Sequence, residues 1–133
     1  MNKLEPINQT KLYGLECYFN ELVNFYKNGN YPNKILFSGQ KGIGKSTLAF
    51  HFINYVLTIN EKYNYDIRNY SINIDSSVFK TIQNRSNSNL TIIDVNEDKN
   101  SIDINQIREL IVNLNKSSLN DKPRFVLIDN IEL

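Results

Sequence analysis

The nine residues Gly39-Gln40-Lys41-Gly42-Ile43-Gly44-Lys45-Ser46-Thr47 constrain this chain more than any other stretch. They contain the spacing G-x-x-x-x-G-K-[ST] and stand between two segments of different periodicity. Before them, Lys34-Ile35-Leu36-Phe37-Ser38 is a short apolar run of the kind a buried parallel strand uses. After them, Leu48, Ala49, Phe52, Ile53, Val56 and Leu57 recur at helical spacing and predict an amphipathic helix of about three turns. Strand, glycine-rich loop and helix follow in that order. The loop's glycines let successive N–H groups turn inward toward phosphate oxygens. Helix onset after Gly44 adds the positive end of a helix dipole. In such a loop Lys45 reaches the β- and γ-phosphates of a nucleotide, and the Ser46 hydroxyl ligates Mg²⁺.

The second Mg²⁺ partner is sought at the carboxyl end of a neighbouring strand, where open α/β sheets bind ligands. Arg124-Phe125-Val126-Leu127-Ile128-Asp129 is apolar and closed by a carboxylate, about 80 residues beyond the loop, so Asp129 is the candidate for the metal's water shell. A hydrolytic ATPase of this layout places a water-polarising Glu directly after that acid. Here the position holds Asn130, an amide with no proton-accepting ability, and Glu132 lies three residues past the Asp. Nucleotide binding is therefore better supported than hydrolysis, and no residue is assigned a catalytic role.

Elsewhere, Leu15, Phe19, Leu22, Val23 and Tyr26 predict a helix within 12–26, broken by Gly29, Asn30 and Pro32. Leu90-Thr91-Ile92-Ile93-Asp94-Val95 reads as a second strand. Asp103 and Gln106 suggest a capping box before Ile104, Ile107, Leu110, Ile111 and Leu114, one helical face. Residues 60–89 read as an irregular, exposed connection with a short helix at Val78–Ile82. Tyr63, Tyr65 and Tyr70 within it are expected on a loop, with base stacking the weaker alternative. His51 reads as a helix-surface or packing residue rather than a catalyst. Cys17 reads as a packing residue, and Arg108, Lys122 and Arg124 as surface charges.

Composition narrows the classes. In 133 residues, 15 basic and 14 acidic side chains give a net charge of +1, so bulk electrostatics do not argue for nucleic acid or an anionic membrane. No apolar run approaches the roughly 20 residues of a membrane span, and the first residues carry no basic-then-apolar signal. One cysteine excludes an internal disulfide and a multi-cysteine zinc site. The expectation is a soluble, cytoplasmic α/β protein. The 22 asparagines and 17 isoleucines are scattered and reflect A/T-rich codon usage rather than a low-complexity tract.

Pro6 with Leu12-Tyr13-Gly14, Lys34 to Gly39, the glycine-rich loop, and Ser101-Ile102-Asp103-Ile104-Asn105-Gln106-Ile107-Arg108 resemble bacterial clamp-loader ATPases of the AAA+ class. The last of these segments and Arg124 to Asn130 are most similar to the delta-prime subunits of DNA polymerase III. The resemblance implies a P-loop NTPase fold with a three-layer parallel sheet in strand order 5-1-4-3-2. It also implies ATP or ADP with Mg²⁺ at Gly39 to Thr47, adenine near Leu12, Tyr13 and Gly14, and metal at Ser46 and Asp129. The implied partners are the other subunits of a hetero-pentameric ring that loads a sliding clamp onto primed DNA, with no membrane. As a component of a DNA polymerase holoenzyme, such a subunit would have weak ATPase activity of its own. Many relatives carry a four-cysteine zinc module between loop and acid; without cysteines there, zinc is not implied. Strands one to three can be assigned here, so residues 1–133 are expected to be the N-terminal part of one AAA+ domain, truncated after the strand ending at Asp129. The fourth strand, lid and collar would lie beyond. The alternatives are a self-sufficient motor of the gamma/tau type and, less favoured, a small P-loop kinase.

Overall fold

The computed structural model describes residues 5–40, 42–94, 105, 108, 109, 112 and 120–129. The chain forms two compact units, residues 1–83 and 84–133.

In the first unit a 3-10 turn at Pro6–Asn8 precedes α1 (Glu16–Lys27). Phe19, Leu22 and Val23 are the buried stripe of α1, at the i, i+3, i+4 spacing read from the sequence. Its charges suit the dipole, with Glu16 in the first turn and Lys27 in the last. Gly29, at φ 73°, ends it: the Gly29 N–H donates to the Tyr26 carbonyl (3.3 Å) and the Asn30 N–H to the Phe25 carbonyl (3.0 Å). This is the paired closure that a left-handed residue permits.

Helix α2 (Lys45–Leu57) is buried at every position from Leu48 to Leu57. Apolar residues on all sides mark a central helix, and the rest of the unit wraps it. Phe19 of α1 lies 5.0 Å from the Tyr65 ring and meets Tyr55 and Tyr70 edge-on, at 6.1 and 5.8 Å. Tyr31 stacks on Phe52 at 5.2 Å.

Three expectations are corrected here. Lys34–Ser38, expected as the first strand, has no strand conformation, and Ile35 and Leu36 are exposed. A strand exists only when its N–H and C=O groups find a partner. Among the described residues no strand pairs with this segment. Residues 60–89 are not a uniformly exposed connection: Tyr65, Ile72, Phe79 and Ile82 are buried. The segment is folded by its own bonds. The Asp66 carboxylate accepts the N–H groups of Arg68 and Asn69 and the Asn69 amide, which holds its pKa below the usual value. Residues 70–72 run against 10–12 through Leu12 N–H to the Tyr70 carbonyl (3.0 Å) and Ile72 N–H to the Thr10 carbonyl (2.8 Å). Helix α3 (Ser77–Gln83) follows at the place expected, with Ser76 Oγ accepting the Phe79 N–H. Cys17 is exposed, on the polar side of α1, rather than packed.

In the second unit, β1 (Leu90–Asp94) and β2 (Phe125–Asp129) pair in parallel, Leu90 opposite Phe125 and Asp94 opposite Asp129. Their adjacency agrees with the implied order, in which strands two and three are neighbours. Among the described residues the sheet has these two strands. Parallel pairing demands a crossover between 94 and 125. Of the helix expected there, residues 105, 108, 109 and 112 are helical and exposed. The capping box and apolar face lie outside the described residues.

An asparagine pair sets the register. Buried Asn89 donates from Nδ2 to Asn120 Oδ1 (2.9 Å) and to the carbonyls of Lys122 (3.2 Å) and Pro123 (3.1 Å). Asn120 Nδ2 returns a bond to Asn89 Oδ1 (3.0 Å), and the Asn89 carbonyl accepts the Phe125 N–H (2.7 Å). Asn89→Ala is expected to cost about 1 kcal/mol or more, because it removes a buried amide that ties together three part-buried acceptors. Asn89→Ala and Asn120→Ala together should cost less than their sum in urea unfolding, since both break one network.

Candidate functional site

The glycine-rich loop joins the exposed 34–40 segment to the start of α2. Gly42 and Gly44 have φ of 89° and 97°, a left-handed backbone that glycine adopts without a steric penalty. A Cβ on Gly44 would also sit 3.3 Å from Leu15 Cδ1, so the residue before α1 packs directly on the loop's last glycine. Lys45 turns back over the loop, its Nζ donating to the Gly39 carbonyl at 2.8 Å. The Ile43 N–H reaches the Gln40 carbonyl at 3.4 Å, closing a turn, and the Ile43 side chain lies over Gly39 and is exposed at its other face. Lys41 lies outside the described residues.

This geometry suits an anion. The first N–H groups of a helix have no intrahelical acceptors. In α2 the N-cap is Gly44, which has no side chain to accept them, and the first turn carries no acidic residue. The positive end of a 13-residue helix is thus left without a carboxylate of its own, with the Lys45 ammonium beside it. Ser46 and Thr47 follow on the first turn, both partly buried. A phosphate fits this donor set. Mg²⁺, if bound there, would shield phosphate charge, and the Ser46 hydroxyl on the first turn could ligate it.

Of the other expected site residues, Leu12 is a core residue at 2% exposure, whereas Tyr13 is 72% exposed and Gly14 has φ 79°. Gly14 N–H donates to Glu16 Oε1 at 3.1 Å. Asp129 is the last residue of β2. It belongs to the second unit and Ser46 to the first. Asn130 and Glu132 lie outside the described residues. Among the described residues, no group of three or more His, Cys, Asp or Glu side chains could hold a metal ion. None of the helices among them is long and apolar enough to cross a membrane.

The polar network of the first unit centres on His51, fully buried in α2. Its Nε2 lies 2.9 Å from the Gln9 carbonyl and its Nδ1 2.8 Å from the Tyr65 hydroxyl. A carbonyl only accepts, so the proton sits on Nε2, and Tyr65 donates to Nδ1. Burial lowers the imidazole pKa to about 4, against the opposing effect of the Gln9 carbonyl, so His51 is neutral. Burial, with the nearby Asp66, Tyr70 and Glu16, raises the Tyr65 pKa. Sequence reasoning ranked His51 low. The signal it carried was a helix apolar on every side, in which any polar residue must find partners.

The chain is 30% identical over 132 residues, 98% of its length, to the DNA polymerase III subunit gamma/tau of Mycoplasma genitalium. It spans about a fifth of that relative. No solved structure matches it significantly. The profile of the family described as "DNA polymerase III, delta subunit" matches residues 14–133, from the residue before Leu15 through both strands. Nine-tenths of the chain is covered by that match, and the chain therefore belongs to the DNA polymerase III delta subunit family, a family of the clamp-loader type.

Proposed function

We propose that the chain is the nucleotide-binding part of a DNA polymerase III clamp-loader subunit of the delta-prime kind, which binds ATP or ADP with Mg²⁺ at Gly39 to Thr47. The observation that carries this is the glycine loop itself: left-handed Gly42 and Gly44, Lys45 over the loop, and an α2 N-terminus with no acidic residue of its own. The fold proposed for it is the P-loop, AAA+ one, with Leu12 to Gly14 at the adenine, the Ser46 hydroxyl as a Mg²⁺ ligand, and Asp129 as a metal-directed carboxylate at the end of its own strand. As a ring subunit it would act with other clamp-loader subunits, on a sliding clamp and primed DNA.

Hydrolysis separates this from a second reading. The similarity to a gamma/tau subunit over 98% of the chain favours a self-sufficient motor. Asn130 favours slow turnover, because an amide cannot take a proton from the attacking water. The purified full-length protein is expected to bind MgATP yet release phosphate slowly, in a coupled phosphate assay. Asn130→Glu should raise the rate if nothing else limits it. Brisk turnover by the wild type would replace the delta-prime reading with the motor.

A further inference from the structure

The residues between the 3-10 turn and α1 touch α2 at two places. At one end the Gln9 carbonyl accepts the His51 Nε2–H; at the other, Leu15 packs on Gly44, seven residues earlier in the chain. Residues 9–15 therefore run along α2 as a strap, in the opposite chain direction and over about two helical turns. Its outer edge is held by residues 70–72, through Leu12 N–H to Tyr70 and Ile72 N–H to Thr10. The same 60–76 segment supplies the Tyr65 hydroxyl that fixes the His51 tautomer. Strap, segment and helix thus meet at one imidazole.

We propose that His51 is a positioning residue for the nucleotide loop: it clamps the strap, and the strap, through Leu15, braces Gly44 in the left-handed conformation from which α2 starts. This rests on the nucleotide reading above for its consequence, though not for its mechanics. Only the neutral Nε2–H tautomer serves, since the strap needs a donor and Tyr65 needs an acceptor. A backbone held in place before ligand arrives loses less freedom on binding, so the brace raises affinity without touching the ligand.

The test uses the full-length protein, fluorescent ADP with Mg²⁺ as the probe, and amide hydrogen exchange. His51→Gln keeps a donor for Gln9 and an acceptor for Tyr65 and should bind as wild type does. His51→Leu and the milder Tyr65→Phe should bind about three- to tenfold more weakly. The Leu12 and Ile72 amides should exchange about tenfold faster in these two variants. Val23→Ala, a core truncation in α1, should lower stability while leaving affinity and those two amides unchanged. Equal affinity loss in Val23→Ala and Tyr65→Phe, or wild-type exchange at Leu12 and Ile72 in Tyr65→Phe, overturns the brace. Failure of the wild type to bind the probe overturns the nucleotide reading, and with it the brace's effect on affinity. The exchange comparison then decides the clamp by itself.

Discussion

Replacing Lys45 with alanine is expected to weaken MgATP or MgADP binding at least tenfold, because a charge-assisted bond to phosphate is worth about 1.5–3 kcal/mol. The side chain lies at the first position of α2 and bends over the loop to the Gly39 carbonyl at 2.8 Å, an acceptor that a phosphate oxygen would replace. An ammonium exchanging one oxygen for another needs little rearrangement, and the anion adds charge where the carbonyl had none. Truncation therefore removes a phosphate contact while costing the apo fold one partly exposed hydrogen bond. Lys45→Ala should melt within a degree or two of wild type, so the lost affinity is local. Equilibrium titration with fluorescent nucleotide measures it. Undiminished affinity would refute phosphate binding at this loop.

Acid should destabilise the first unit through His51. Its folded-state pKa of about 4 lies below the ordinary value of 6.5, so between those values the unfolded chain binds the extra proton and the folded chain does not. Stability is complete above about pH 6.5 and falls as pH drops toward 4, by up to about 3 kcal/mol at 1.36 kcal/mol per unit of pKa shift. Protonation would turn the Nδ1 acceptor into a donor facing the Tyr65 hydroxyl and place a buried charge against the Tyr65 ring, which itself packs on Phe19. Urea unfolding at a series of pH values measures the slope. In His51→Gln the slope between pH 6.5 and 4 should flatten, while the loss below about pH 4 persists. That residual belongs in part to Asp66, whose depressed pKa makes its stabilisation fail only at lower pH. An unchanged slope in His51→Gln would mean that the buried imidazole does not govern acid stability.

What the sequence determined by itself was local. The 3.6-residue period of Phe19, Leu22 and Val23 gives α1, and the apolar run that follows the loop gives α2, which is buried on every side rather than on the single face its spacing predicted, since a helix satisfies its backbone internally. The loop's composition determined its conformation for the same reason: Gly42 and Gly44 alone permit the φ values found there. The β-branched run at 90–94 and the apolar run at 125–129 gave two strands, and the spacing between them allowed a parallel crossover. Tertiary structure decided the rest. Ile35 to Ser38 is as apolar as β2 but is not a strand, because strand formation depends on a partner that its own residues do not specify. Tyr65, Ile72, Phe79 and Ile82, diluted among Asn and Asp, have no period to betray burial. They are inside because the Asp66 turn and the 10–12 pairing fold that segment onto α2. His51 became a clamp only when Gln9 and Tyr65, 42 and 14 residues away in the chain, were brought to its two nitrogens. Periodicity records what a residue does within its own element, whereas a hydrogen bond between distant segments exists only once the chain has closed around it.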